Sequence, residues 1–133
     1  LSNKKIVILG FAFKANTNDT RESPSINISK NLLLEGAKLT FYDPKVNENQ
    51  ILNEFDEFVR DGNVLVANKA LDAAKGADAV IVLTEWGEFK NLDWKNIFNV
   101  MRKPAWVFDA RICMDQKILK SIGFKVWTLG TND

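Results

Sequence analysis

Three short stretches hold the residue types from which a site can be built. The first is Gly10-Phe11-Ala12-Phe13-Lys14 with Asp19-Thr20-Arg21-Glu22-Ser23-Pro24. The second is Thr84-Glu85-Trp86, and the third is Phe108-Asp109-Ala110-Arg111. The lysine can set its ammonium against a phosphate as a point charge. The arginine offers a planar fork for phosphate or sugar oxygens. Each has an ordinary alternative. Most lysines are solvated, and composition alone does not lift Lys14 above that. Arg111 can pair with Asp109 or Asp115. Asp19 and Glu22 can simply complement the dipole of a following helix. Trp86 reads as a packing or interface residue, Trp94, Trp106 and Trp127 read as core, and Phe13 can equally be core.

The absences narrow the chemistry. The chain has no histidine, so it lacks the commonest general base and metal ligand. No strand is followed by Gly-x-Gly-x-x-Gly. Gly10 stands alone before bulky residues, a poor loop for bringing backbone close to a pyrophosphate. No Walker loop or metal-ligand cluster appears, and no acidic pair is spaced for acid–base work. The expectation is binding without a catalytic residue or a metal in this chain.

The elements that carry these stretches follow from pattern. Ile6–Leu9 is a continuous apolar run, as in a strand buried on both faces of a parallel sheet. A long loop follows, then a helix opening at Ser23-Pro24, with Ile28, Leu32 and Leu33 as its core stripe and Gly36 as its end. A strand is expected at Lys38–Tyr42, stopped by Asp43-Pro44, and a helix over Glu48–Arg60. Val64–Val66 reads as a short strand, Lys69–Lys75 as a short helix, and Ala79–Leu83 as a buried strand. Helical pieces near Glu88 and over Trp94–Val100 precede a strand at Ala105–Phe108. A helix over Gln116–Ile122 and a strand over Phe124–Leu129 close the chain. Strands alternating with helices predict an α/β fold: a Rossmann-like three-layer sandwich with a mostly parallel sheet. In such a sheet, ligands bind at the carboxyl ends of the strands, where all three stretches fall.

At 133 residues the chain suits one domain, 1–133. A net charge of +1 leaves no electrostatic footprint for nucleic acid or an anionic membrane. No apolar run reaches membrane-spanning length, and no signal peptide is visible. A lone cysteine, Cys113, fits a reducing, cytoplasmic compartment. The first residue is leucine rather than methionine, which points to a piece of a larger protein.

The segment GFAFKANTNDTRESPSI resembles the opening of the C-terminal domain of the UDP-glucose 6-dehydrogenases. The resemblance continues in the family's order through Tyr42-Asp43-Pro44-Lys45-Val46, Leu83-Thr84-Glu85-Trp86 with Phe89, and Phe108–Arg111. It implies an enzyme that oxidises UDP-glucose to UDP-glucuronate with two NAD+, through a cysteine thiohemiacetal and thioester between domains. It implies substrate contacts from Phe13, Lys14 and Arg111, with Arg21 pointing toward NAD. That NAD would be held mainly by an N-terminal domain absent from this chain. Partners would be the enzyme's own N-terminal and central domains and further copies of itself.

Two departures stand out. Ala15 and Asn16 replace a common Lys and Asp, and Ala110 replaces a glycine, losing easy access to positive φ. The family's catalytic cysteine lies in a glycine-rich motif that Arg111–Asp115 does not match, so Cys113 reads as structural. Other readings are a GDP-mannose or UDP-N-acetylmannosamine dehydrogenase domain, or a non-catalytic module for assembly or nucleotide binding. A receiver-type domain would need an acidic pair where Phe11 and Ala12 stand.

Overall fold

A computed structural model describes residues 3–11, 24–84, 87–110 and 114–128. The strands are β1 (Lys5–Leu9), β2 (Lys38–Tyr42), β3 (Val64–Val66), β4 (Ala79–Val82), β5 (Trp106–Asp109) and β6 (Lys125–Thr128). Between them run α1 (Pro24–Leu34), α2 (Glu48–Glu54), α3 (Asp56–Arg60), α4 (Ala70–Ala74), α5 (Gly87–Lys90), α6 (Trp94–Val100) and α7 (Gln116–Ile122). The strand order is β3-β2-β1-β4-β5-β6, and every described pairing is parallel. The expected Rossmann-like α/β fold is therefore present, with a wholly parallel sheet among the described strands.

Right-handed crossovers dictate where the helices lie. The chain winds outward from β1 to β3 and then returns to build β4, β5 and β6 on the other side of β1. The helices of the first half thus cover one face, and those of the second half cover the other. Helix α1 packs on β2, and α2 and α3 pack on β3. Helix α4 packs on β1 and β2, α7 on β6, and α6 bridges α4 and α7. Strand β1, at the centre, is buried from Ile6 to Leu9. On the first face Phe11, Phe41 and Phe55 form an aromatic cluster, with Phe41 stacked on Phe55 at 5.2 Å. On the second face Phe124 meets Trp94 and Phe98 edge-on.

Three expectations need correction. The helix over Glu48–Arg60 is two helices joined at Phe55, whose φ of −125° leaves the helical region. Its ring is buried against Phe11 and Phe41, and that packing accompanies the break in a stretch whose apolar spacing reads as one helix. Ile28 is exposed; the buried side of α1 runs through Ser29 and Leu33 with Ile26 partly buried. A serine in the middle of that face disguises it in the sequence. Trp127 is 40% exposed and Trp106 only partly buried, so of these three tryptophans Trp94 alone is core. Strand β6 is an edge strand, and only Val126 and Thr128 face helices.

Candidate functional site at the carboxyl edge of the sheet

The sheet's order reverses between β1 and β4, which leave toward opposite sides of the molecule. In open α/β sheets this switch point opens a crevice at the carboxyl ends of the strands. Here the exits of β1, β2 and β4 are tied together. The Gly10 N–H donates to the Tyr42 carbonyl (2.9 Å), and the Leu83 N–H donates to the Leu9 carbonyl (2.9 Å). Gly10 has φ of +97°, and a Cβ there would lie 2.4 Å from Thr84 Cβ and 2.7 Å from Thr84 N. Only glycine allows the two exits to approach this closely.

Asp43 fixes the next residue. One carboxylate oxygen accepts the Phe11 N–H (2.7 Å). The other accepts the N–H groups of Lys45 (2.8 Å) and Val46 (3.0 Å). A charged acceptor holding three backbone donors is a stiff clamp. It fixes the backbone at Phe11, the last described residue before the loop. The Asp43-Pro44 pair is visible in the sequence as a strand stop. Its local part, the turn onto Lys45 and Val46, follows Asx-turn chemistry. The contact to Phe11, 32 residues away, does not.

A similar device closes the next loop. Asp109, fully buried at the end of β5, accepts the Met114 N–H (2.8 Å), and the Ala110 N–H donates to the Val82 carbonyl (3.1 Å). The ends of the segment 110–114 are therefore pinned at the same edge. Asp115 caps α7 through the Ile118 N–H. On the far side Tyr42 donates its hydroxyl to Glu88 (2.6 Å), linking β2 to α5. Burial first, then the hydrogen bond to Glu88 and its charge, push the Tyr42 phenol up to about 12.

Phe13, Lys14, Arg21 and Arg111 lie outside the described residues, as do Ser23, Glu85, Trp86 and Cys113. Their described neighbours belong to this edge: Phe11 before Lys14, and Ala110 and Met114 around Arg111. The strands that deliver the two loops are not neighbours, since β4 stands between β1 and β5. The loops leave one edge two strand spacings apart, about 10 Å.

This edge does not suit a dinucleotide held in the usual Rossmann manner. Gly10 is already filled against by Thr84, and the fully buried Phe11 occupies the turn where small residues would admit a pyrophosphate. Among the described residues, no group of three His, Cys, Asp or Glu side chains comes together for a metal ion. No helix among them is long and apolar enough to cross a membrane.

Comparison with known proteins gives a consistent picture. The profile of the UDP-glucose/GDP-mannose dehydrogenase family, UDP binding domain, matches residues 7–116. UDP-glucose 6-dehydrogenase of Caenorhabditis elegans is 46% identical over 99% of the chain, which covers 28% of that protein. UDP-glucose 6-dehydrogenase 2 of Arabidopsis thaliana is 45% identical over 98% of the chain, 30% of its own length. The chain thus spans under a third of these relatives. In fold it is similar to an NDP-N-acetyl-D-galactosaminuronic acid dehydrogenase of Methanosarcina mazei. The TM-score is 0.80 at 22% identity, over 98% of this chain and 25% of that one.

Proposed function

The chain belongs to the UDP-glucose/GDP-mannose dehydrogenase family, and from that premise we propose that residues 1–133 form the UDP-sugar-binding domain of an NAD-dependent UDP-glucose 6-dehydrogenase. The observation that carries this reading is the carboxyl edge at the switch point. There Asp43, Thr84 and Asp109 fix the ends of the two loops bearing Lys14 and Arg111. Lys14 sets its ammonium against the diphosphate, and Phe13 packs beside it. Arg111, from a loop about 10 Å away along the edge, applies its fork to phosphate or sugar oxygens. The domain forms one wall of the site and holds no catalytic residue; Cys113 is not the nucleophile.

The remaining chemistry belongs to the rest of such a polypeptide. NAD supplies the hydride acceptor for oxidation of UDP-glucose to UDP-glucuronate. It binds chiefly outside this domain, with Arg21 facing it. The enzyme is cytoplasmic and oligomeric. Relatives at 45–46% identity are UDP-glucose 6-dehydrogenases, which favours UDP-glucose over GDP-mannose or UDP-N-acetylmannosamine.

The test is calorimetric titration of UDP and GDP into the full-length polypeptide. Lys14→Ala and Arg111→Ala should each weaken UDP binding by about tenfold or more, as loss of a charge-assisted hydrogen bond requires. Cys113→Ala should leave it unchanged, GDP should bind more weakly than UDP, and the 133 residues alone should produce no NADH. Wild-type affinity in both the Lys14 and Arg111 variants would overturn the site. Absence of UDP binding would leave an assembly module.

A further inference from the structure

Half of one sheet face has no helix over it among the described residues. Burial alternates along β5 and β6: Val107, Asp109, Val126 and Thr128 are buried, whereas Trp106 and Phe108 are partly open and Lys125 and Trp127 are exposed. The register puts Trp106 beside Lys125 and Phe108 beside Trp127, with Ile81 completing the second row. Trp106 stacks on Phe108 at 5.5 Å, and Phe108 meets Trp127 at 6.3 Å. The result is an aromatic ladder across two strands. It opens at its amino-terminal end into a groove of about 290 Å³ between Lys4, Asp78, Arg102 and Pro104.

The origin is topological. Helices α1–α3 pack on β2 and β3, whereas α4 packs on β1 and β2 and α7 on β6 with α6 between them; right-handed crossovers put these two sets on opposite faces. All-parallel sheets are otherwise covered on both faces by helices. Three adjoining rings left partly or largely open on one face are the composition of a contact surface rather than a solvent face.

We propose that this half-face is the seat of an α-helix supplied by the same polypeptide from outside residues 1–133. This rests on the reading of the chain as one domain of a longer dehydrogenase. Two observations choose that occupant. The relatives carry more than twice as much additional chain as this domain contains, since it covers 28–30% of their length. The charges around the ladder also select its character. Asp78 is engaged by the Lys5 N–H (2.9 Å) and by Arg102 (3.6 Å). With Arg102 paired to Asp78, the exposed Lys4 and Lys125 make the remainder of the rim basic. The incoming helix therefore presents an apolar stripe to the ladder and acidic residues at its margins, with one large side chain in the groove.

Photo-crosslinking of the full-length polypeptide tests this directly. A benzophenone amino acid is placed at Lys125, an exposed edge-strand position on the same row as Trp106. The expected product is a crosslink within one chain, to a helical segment outside residues 1–133 that carries Asp or Glu beside an apolar stripe. Trp127→Glu, which adds a carboxylate to the ladder, should abolish it. Lys14→Ala, at the opposite edge, should leave it intact, so failure of the nucleotide reading is seen separately. A crosslink between copies, recognised by mixing isotopically labelled and unlabelled protein, would show a second copy on the face and overturn the proposal. A chain without any crosslink to a segment outside residues 1–133 would overturn it as well.

Discussion

Asp43→Asn perturbs the clamp at the mouth of the proposed ligand loop with almost no change in shape. The wild-type carboxylate accepts from Phe11 on one oxygen and from Lys45 and Val46 on the other. An amide has one oxygen. If it stays on the Lys45 and Val46 side, the NH2 group faces the Phe11 N–H across 2.7 Å, donor against donor. If it flips, two donors lose their acceptor. Phe11 is fully buried, so the smaller loss is one hydrogen bond to a charged acceptor, about 2 kcal/mol. With a urea slope of about 2 kcal/mol/M for a domain of this size, the unfolding midpoint should fall by about 1 M. Asp72→Asn is the control. That carboxylate, on α4, pairs with Lys75 at the exposed end of the helix at 3.5 Å, and such pairs contribute about 0–1 kcal/mol. Tryptophan fluorescence and far-UV circular dichroism in urea read both. A midpoint for Asp43→Asn no lower than that of Asp72→Asn would refute the clamp. Its link to ligand binding has a separate readout in the full-length polypeptide. Asp43→Asn should weaken UDP binding, and should cause no further loss when Lys14 is already alanine.

Two other perturbations follow from the same edge. Gly10→Ala should destabilise by about 3 kcal/mol, combining positive-φ strain with a Cβ driven into Thr84. Gly62→Ala, at φ +76° with no atom within 4 Å of the added Cβ, should cost only about 1 kcal/mol. Equal urea midpoints for the two variants would show that the contact with Thr84 does not matter. Tyr42 gives a pH signature. Its folded pKa of about 12 lies above the ordinary value of 10, so the unfolded chain releases its proton first. The stabilisation is fully present below pH 10 and is lost as pH rises toward 12. The partly open site limits this to the order of 1 kcal/mol. Subtracting the stability of Tyr42→Phe from that of wild type across pH 9–12 removes the lysine titrations, and a flat difference would contradict the assignment.

The local code determined most of the elements. Continuous apolar runs at Ile6–Leu9 and Ala79–Leu83 read as buried strands, and β1 and β4 lie there; Pro24, Gly36, Gly76 and Gly123 mark helix boundaries through backbone chemistry that needs no tertiary partner. The wound α/β class followed from their alternation, and the three polar stretches could be assigned to strand ends because each follows an apolar run. Tertiary structure decided what depends on contacts distant in sequence. It placed β4 between the strands that deliver Lys14 and Arg111, brought Asp43 under Phe11, and pressed Thr84 against Gly10. It also divided the helix over Glu48–Arg60 at Phe55, beside a ring cluster assembled from three separate segments. Trp127 shows the limit most plainly. Hydrophobicity predicts burial, but crossover handedness decides which sheet face receives a helix, and over β5 and β6 one face receives none among the described residues.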